Sequence, residues 1–196
     1  MKLNKSAITT VPDAEAGLTN LFMDELEKIY WTEKVLTKVI PKMIKNATAP
    51  QLIKGLSNRL EKTNEQIIRL EEVFTILGES PVAVKCHAME GLIMEAEGLI
   101  EQTYEGTVRD ACIIASDQKI EHYKIAAYST LYSFATILRE DDTADLLLQT
   151  LDEDTAAGVQ LSQIAESSIN LENEEDEETN SLFKLNGRSS LQNSFH

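Results

Sequence analysis

The sequence predicts an all-α protein whose main body is an antiparallel four-helix bundle. Apolar residues recur at spacings of three and four along four long segments, which is the pattern of helices with one buried face. Residues with high strand propensity do not alternate with period two over a useful length, and the 196 residues include only four Pro and eight Gly. With 42% hydrophobic residues, the chain suits one domain with a sizeable core.

The first half of the chain predicts a helical hairpin. Residues 1–17 are polar and aperiodic, and we expect them to form an N-terminal arm. The first helix is predicted over residues 18–46, with Thr19 as its N-cap. A second helix is predicted from Pro50 to the stop at Gly78, because Pro is favoured in the first turn of a helix and Gly just after its end. The connection is so short that the two helices must be antiparallel.

The second half predicts another hairpin, reached by a long connection. Residues 79–108 contain an extended link and a shorter helix over 88–104. A third long helix is predicted over residues 107–139. The polar residues 140–143 then interrupt the pattern and offer caps for a fourth long helix over 144–168.

This order of elements predicts a ferritin-like bundle over residues 18–168. A hairpin, a long crossover and a second hairpin allow the second and third long helices to run parallel, whereas an up-down-up-down bundle needs only a short middle loop. Residues 169–196 begin with a run of acidic residues and continue as a polar segment. We predict that they form an acidic flexible tail, because this composition buries too little apolar surface to become ordered.

Charge and hydropathy restrict the functions that the sequence allows. The formal net charge is −15 and the isoelectric point is near 4.6, which disfavours binding to nucleic acids and to anionic membranes. No apolar run approaches the roughly 18 to 20 residues that span a bilayer, and the N-terminus lacks the apolar part of a signal peptide. The sequence therefore predicts a cytoplasmic protein whose charge attracts cations.

Each of the four long helices carries a carboxylate near its apolar stripe. The first helix places Glu33 among inward positions, the second offers Glu61, and the third offers Glu121. The fourth helix offers Glu153, followed directly by Asp154. Carboxylates in a low-dielectric core need cations, protons or buried partners, since each unpaired charge costs several kcal/mol.

Two interpretations of these carboxylates remain open from the residues alone. Two divalent metals would balance four converging carboxylates, as in bundles that bind two iron or manganese ions with one Glu from each helix. Alternatively, each Glu lies on the shoulder of its helix, pairs with a neighbouring Lys or Arg and stays partly hydrated. Helical spacing does not decide between these interpretations.

The sequence resembles the YciE/YciF family of ferritin-like bacterial stress proteins. The most specific segment is Lys-Cys-His-Ala-Met-Glu-Gly-Leu at residues 85–92. The resemblance extends from about Leu18 to Ala165. Its other segments are residues 24–26 with 29–30 and 33–34, residues 60–61 with 66–67 and 69–70, residues 118–123 and residues 151–154.

This resemblance implies a ferritin-like homodimer with a di-iron site. It assigns metal-binding roles, for iron or manganese, to Glu33, Glu61, Glu121 and Glu153. Two departures weaken that implication, because this chain has Asn64 where the family pattern has His and Lys124 where it tends to have Glu.

Two functional hypotheses follow from the residues and the resemblance. One is a stress-response protein that reacts Fe(II) with oxygen or peroxide in the manner of ferroxidases and rubrerythrin-like peroxidases. The other is a non-catalytic helical scaffold with a degenerate metal site, in which the acidic tail engages partners. A Lys one turn from Glu121 can supply the positive charge that a metal otherwise provides. Asn64 and Lys124 therefore favour the second hypothesis.

Overall fold

The computed structural model describes residues 14–168, and these residues form five α-helices without a strand. The helices are α1 (Ala14–Asn46), α2 (Pro50–Ile76), α3 (His87–Gln102), α4 (Thr107–Leu138) and α5 (Asp141–Ser168). The predicted all-α class is confirmed. The predicted tail and the first thirteen residues of the predicted arm lie outside the described residues.

The four long helices form the predicted pair of hairpins. Helix α1 packs on α2 and α4 packs on α5, while α1 also contacts α4 and α2 contacts α5. Asp110, in the first turn of α4, accepts hydrogen bonds from the backbone N–H groups of Thr48 and Ala49 at 2.8 and 2.7 Å and from the Thr48 hydroxyl at 2.6 Å. Helices α2 and α4 therefore begin at the same end of the bundle and run parallel, as the crossover predicts.

Two predicted helix starts are wrong. Helix α1 begins at Ala14 rather than near Leu18, and Thr19 is not its N-cap. The Thr19 hydroxyl instead donates to the carbonyl oxygen of Glu15 at 3.0 Å, which is the bond a Thr makes inside a helix. Helix α5 begins at Asp141, three residues earlier than expected. Arg139 adopts a left-handed conformation with φ of 61° and ends α4, so only two residues separate α4 from α5.

The crossover carries the predicted extra helix, α3. Its N-cap is Cys86, whose sulfur accepts the backbone N–H of Met89 at 3.4 Å and lies 3.0 Å from the Tyr123 hydroxyl. Helix α3 packs on α4 and buries Met89, Ile93 and Ala96. These contacts fix the crossover against the end of the bundle where α2 and α4 begin.

The apolar core is divided into two clusters. One lies at the α1–α2 turn and includes Ile40, Leu56 and Ile114, whereas the other lies toward the opposite end and includes Leu26 and Leu131. Along each long helix, polar residues occupy the inward positions between the two clusters. The site is therefore a polar layer across the middle of the bundle.

The outward faces of the helices are charged. None of the helices within residues 14–168 combines the length and the apolar character needed to cross a membrane. Exposed ion pairs join Lys42 to Glu97 and Lys62 to Glu65, each at 2.6 Å. Such pairs contribute about 0 to 1 kcal/mol each, so the interior decides the stability of the bundle.

Candidate functional site

Six charged side chains from all four long helices meet in the polar layer. Each lies on the inward stripe of its helix, where residues recur at alternating spacings of three and four and face the bundle axis. All six side chains are at most 6% exposed. We call this set the charged layer; its members are Glu33 of α1, Arg59 of α2, Asp117, Glu121 and Lys124 of α4, and Asp154 of α5.

The ammonium group of Lys124 lies among three carboxylates. Its Nζ is 3.2 Å from Glu33 Oε1, 3.1 Å from Asp154 Oδ1 and 3.8 Å from Glu121 Oε1. It also donates a hydrogen bond to the side-chain oxygen of Gln66 at 2.9 Å. One buried cation thus links α1, α4, α5 and, through Gln66, α2.

Arg59 supplies the second cation of the layer. Its Nε is 2.5 Å from Glu121 Oε1, and its Nη1 is paired with Asp117 Oδ1. Glu121 lies near both Arg59 and Lys124, so the six charges form one connected network. The planar guanidinium suits this position because its fixed fork of donors can bind two carboxylates at once.

Neutral side chains hold two of the carboxylates in position. The Tyr128 hydroxyl donates to Glu33 Oε1 at 2.9 Å, and the Gln66 amide donates to Asp154 Oδ1 at 2.8 Å. Tyr128 is fully buried and Gln66 nearly so. Because buried hydrogen bonds of this kind restrict rotamers, the carboxylates have defined orientations around Lys124.

Burial and neighbouring charges set the protonation of the layer. Burial raises the pKa of Glu33 to about 7, although Lys124 and the Tyr128 hydroxyl oppose the rise. Burial likewise raises the pKa of Asp154 against the attraction of Lys124. For Lys124, burial lowers the pKa, but the carboxylates of Glu121, Glu33 and Asp154 outweigh it and hold the pKa above its usual value. Lys124 is therefore a permanent cation of the layer near neutral pH.

The carboxylates of the layer outnumber its cations by four to two. The formal charge is −2 when all six groups are ionised. Glu33 Oε2 and Asp154 Oδ2 are buried and accept no hydrogen bond within the described part of the chain. The remaining negative charge therefore favours protonation of these two carboxyl groups, in agreement with their raised pKa values.

The four predicted metal ligands fall into two pairs. Glu33 and Glu121 lie in the charged layer, as their positions on the inward stripes predict. Glu61 does not, because its side chain is exposed two residues beyond Arg59, a rotation of about 200° around α2. Glu153 is half-buried and bonded to both terminal nitrogens of Arg69 at 2.9 and 3.0 Å, while Asp154 occupies the inward position of α5. The structure therefore does not bring Glu61 and Glu153 into the charged layer with Glu33 and Glu121.

The residues of the layer do not fit a pair of metal ions. The carboxylates that would bind metals face the Lys124 ammonium and the Arg59 guanidinium instead. Asn64, at the position of the expected His, is exposed and donates to the carbonyl oxygen of Leu60. Within residues 14–168, no group of three or more His, Cys, Asp or Glu side chains is arranged to hold a metal ion.

Sequence reasoning missed Arg59 and Asp117. Arg59 continues the stripe Leu52, Leu56, Thr63, Gln66, Leu70, which alternates spacings of four and three. On α4, Asp117 likewise continues an inward stripe, because it lies seven residues from Asp110 and seven residues from Lys124, which are both buried. A strict heptad spacing, rather than apolar character alone, would have identified both residues.

The raised pKa of Glu33 predicts that the bundle loses stability as the pH rises. Because the folded protein holds a proton on Glu33 that the unfolded chain releases near pH 4.5, the free energy of unfolding falls between about pH 4.5 and pH 7. The loss from this group is about 3 kcal/mol, and Asp154 acts in the same direction.

Urea unfolding at a series of pH values measures this effect. In Glu33→Gln, which keeps an acceptor for Tyr128 but has no charge, we expect a clearly shallower decline over the same interval. An equally steep decline in both proteins would show that Glu33 is not the group responsible.

Comparisons with known proteins agree with this fold. The family model described as "Domain of unknown function (DUF892)" matches residues 17–174. Protein YciF of Escherichia coli K12 is 38% identical over 156 residues, which cover 78% of this chain and 93% of YciF.

Two solved structures are similar along most of their length. The crystal structure of the Escherichia coli stress protein YciF has a TM-score of 0.75 at 37% identity and covers 79% of this chain and 98% of its own. The structure of YcfI from Rhodopseudomonas palustris, provisionally described as a structural protein, has a TM-score of 0.73 at 40% identity and covers 83% of this chain and 99% of its own. The resemblance drawn from the sequence motifs is therefore confirmed.

Proposed function

This chain belongs to the DUF892 family, and from that premise we propose that it is a non-catalytic stress protein whose bundle is held by buried side-chain cations. Lys124 and Arg59 contribute the positive charge that two metals provide in other ferritin-like bundles. The observation that carries the proposal is the position of the Lys124 ammonium, within 4 Å of carboxylates from three helices.

The physical basis of the proposal is competition for the same oxygens. A metal ion at this level needs the carboxylates of Glu33, Glu121 and Asp154, and Lys124 is paired with all three. If a metal took these oxygens, the buried ammonium would be left without its partners, which costs several kcal/mol. Binding of a metal in place of Lys124 therefore has to overcome this cost.

A second candidate function is the di-iron ferroxidase or peroxidase predicted from the family resemblance. One observation favours it: the carboxylates outnumber the cations by two, so the layer retains negative charge that a metal could neutralise. The two candidates differ in what they expect from added metal, since only the di-iron protein gains stability and reactivity from it. Homodimer formation, cytoplasmic location and partner binding by the tail remain predictions of the family resemblance and composition.

Anaerobic Fe(II) loading of the purified full chain, followed by oxygen, distinguishes the candidates. We expect no stoichiometric iron, no change in melting temperature with Fe(II) or Mn(II), and no new near-ultraviolet absorption after oxygen. Two irons per chain together with such a band would overturn the proposal in favour of the di-iron enzyme.

The variant Lys124→Glu provides a matched comparison. It removes the ammonium and adds a carboxylate, so we expect a lower melting temperature without metal and a rise with Mn(II) that wild type does not show. The exposed charge reversal Lys119→Glu on the same helix controls for net charge and should respond to Mn(II) as wild type does.

A further inference from the structure

A cavity of about 410 Å³ lies between α2 and α5 and reaches the charged layer. Exposed residues, among them Glu61, Glu65 and Gln160, line its outer part. Its inner part is lined by buried residues of the layer, including Glu121 and Asp154. The cavity thus connects solvent with the carboxylates that Lys124 and Arg59 leave partly unneutralised.

The lining of this cavity carries more negative than positive charge. Six carboxylates but only three cationic side chains are among its described lining residues. All three cations are already paired: Arg59 and Lys124 within the layer, and Lys62 with Glu65 at 2.6 Å. Asp154 Oδ2 and Glu121 Oε2 are buried and accept no hydrogen bond within the described chain. These oxygens are acceptors that a bound donor can satisfy.

The lining favours an organic cation over a metal ion. No His or Cys is among the described lining residues, so the imidazole and thiolate ligands preferred by zinc and copper are missing there. The partners that the layer already binds are an ammonium and a guanidinium. Gly55, Ala156, Ala157 and Leu161 provide an apolar wall for a short alkyl body. A strongly hydrated ion such as Mg²⁺ gains nothing from such a wall.

We propose that this cavity binds a small linear diamine. One ammonium donates to the free oxygens of Glu121 and Asp154 and takes the place of a proton on Asp154, the alkyl chain lies along the apolar wall, and the second ammonium pairs with Glu61. Glu61 is exposed and forms no ion pair with another described residue. The inference rests on the proposed function, because a pair of metals would occupy the same carboxylates.

Isothermal titration of the full chain with butane-1,4-diamine tests the inference. We expect saturable binding with one diamine per chain and a higher melting temperature. Butane-1,4-diol has the same body without charge and should not bind, and MgCl₂ should not compete at equal ionic strength. Absence of diamine binding, equal binding of the diol, or displacement by Mg²⁺ beyond the effect of ionic strength would each overturn the inference.

Two variants locate the binding site. Ala156→Leu fills the cavity from an exposed position of α5 and should abolish binding, whereas Ala126→Leu, an exposed position outside the cavity, should leave it unchanged. Glu61→Gln should weaken diamine binding about three-fold, the effect of losing one exposed ion pair. Unchanged affinity in both Ala156→Leu and Glu61→Gln would contradict this location.

The outcomes separate this inference from the proposed function. If the chain binds neither iron nor the diamine, only the diamine inference fails. If it binds two irons, the proposed function fails and the diamine inference fails with it.

Discussion

Replacing Lys124 by Met is expected to lower the free energy of unfolding by about 3 to 5 kcal/mol. The change removes the only ammonium within 4 Å of Glu33, Glu121 and Asp154 in the described chain, and all three carboxylates are nearly inaccessible to solvent. Met has a similar length and no charge, so the loss comes mainly from uncompensated buried carboxylates rather than from a cavity. Urea unfolding followed by far-ultraviolet circular dichroism measures it.

An exposed lysine on the same helix provides the control. Lys119 forms a surface ion pair with Glu95, so Lys119→Met should change the free energy of unfolding by less than about 1 kcal/mol. Urea is the suitable denaturant because guanidinium chloride would screen the charges under study. A loss below about 1 kcal/mol in Lys124→Met would contradict the central position of this cation.

Replacing Arg59 by Met is expected to cost a similar amount, about 3 to 5 kcal/mol. Asp117 is inaccessible to solvent, and the guanidinium of Arg59 is its ion-pair partner in the described chain. Glu121 keeps Lys124 in this variant, but at the longer distance of 3.8 Å. The free energy of unfolding in urea, compared with that of wild type, gives the loss.

A second substitution identifies the carboxylate responsible for the effect of Arg59. Adding Asp117→Asn to Arg59→Met should restore part of the lost stability, because the carboxylate left without its partner is then neutral. Lys54→Met, on the exposed face of the same helix, should have little effect. Equal losses in Arg59→Met and Lys54→Met, or no recovery on adding Asp117→Asn, would show that the pair does not stabilise the bundle.

The fold is predictable from the sequence because its signals are local. Pro50 and Gly78 mark the ends of α2, and the short turn before Pro50 leaves the chain no arrangement except a hairpin. The long segment between the hairpins predicts the parallel placement of α2 and α4. The start of α1 was less predictable, because the polar residues before Leu18 are compatible with both helix and loop.

The site is only partly predictable, and Glu33 and Arg59 show why. Glu33 lies between strongly apolar residues of the buried stripe, which favours an inward side chain. On α2 the apolar arc is wide, since Leu60 and Ile67 are partly buried beside the true inward stripe. The sequence pattern therefore drew attention to Glu61, at the edge of the apolar stripe, and gave no signal for Arg59. Only tertiary packing shows that Arg59 points inward because Asp117 and Glu121 lie opposite it.

The lysine at position 124 has consequences beyond one side chain. Lys124 brings a cation into a layer of carboxylates, and the neighbouring acids pair with it. A bundle can in this way use inward carboxylates for stability. Inward acidic residues in a helical bundle therefore do not by themselves indicate a metal site, because inward basic residues can balance their charge.

A double-mutant cycle between Lys124 and Asp154 tests most directly whether a side-chain cation holds the layer together. The free energies of unfolding of wild type, Lys124→Met, Asp154→Asn and the double variant are measured in urea with a metal chelator present, so that no metal contributes. We expect a coupling free energy of at least about 1 kcal/mol, because the loss of the ammonium matters less once Asp154 is neutral. Additivity of the two losses within about 0.5 kcal/mol would contradict the account.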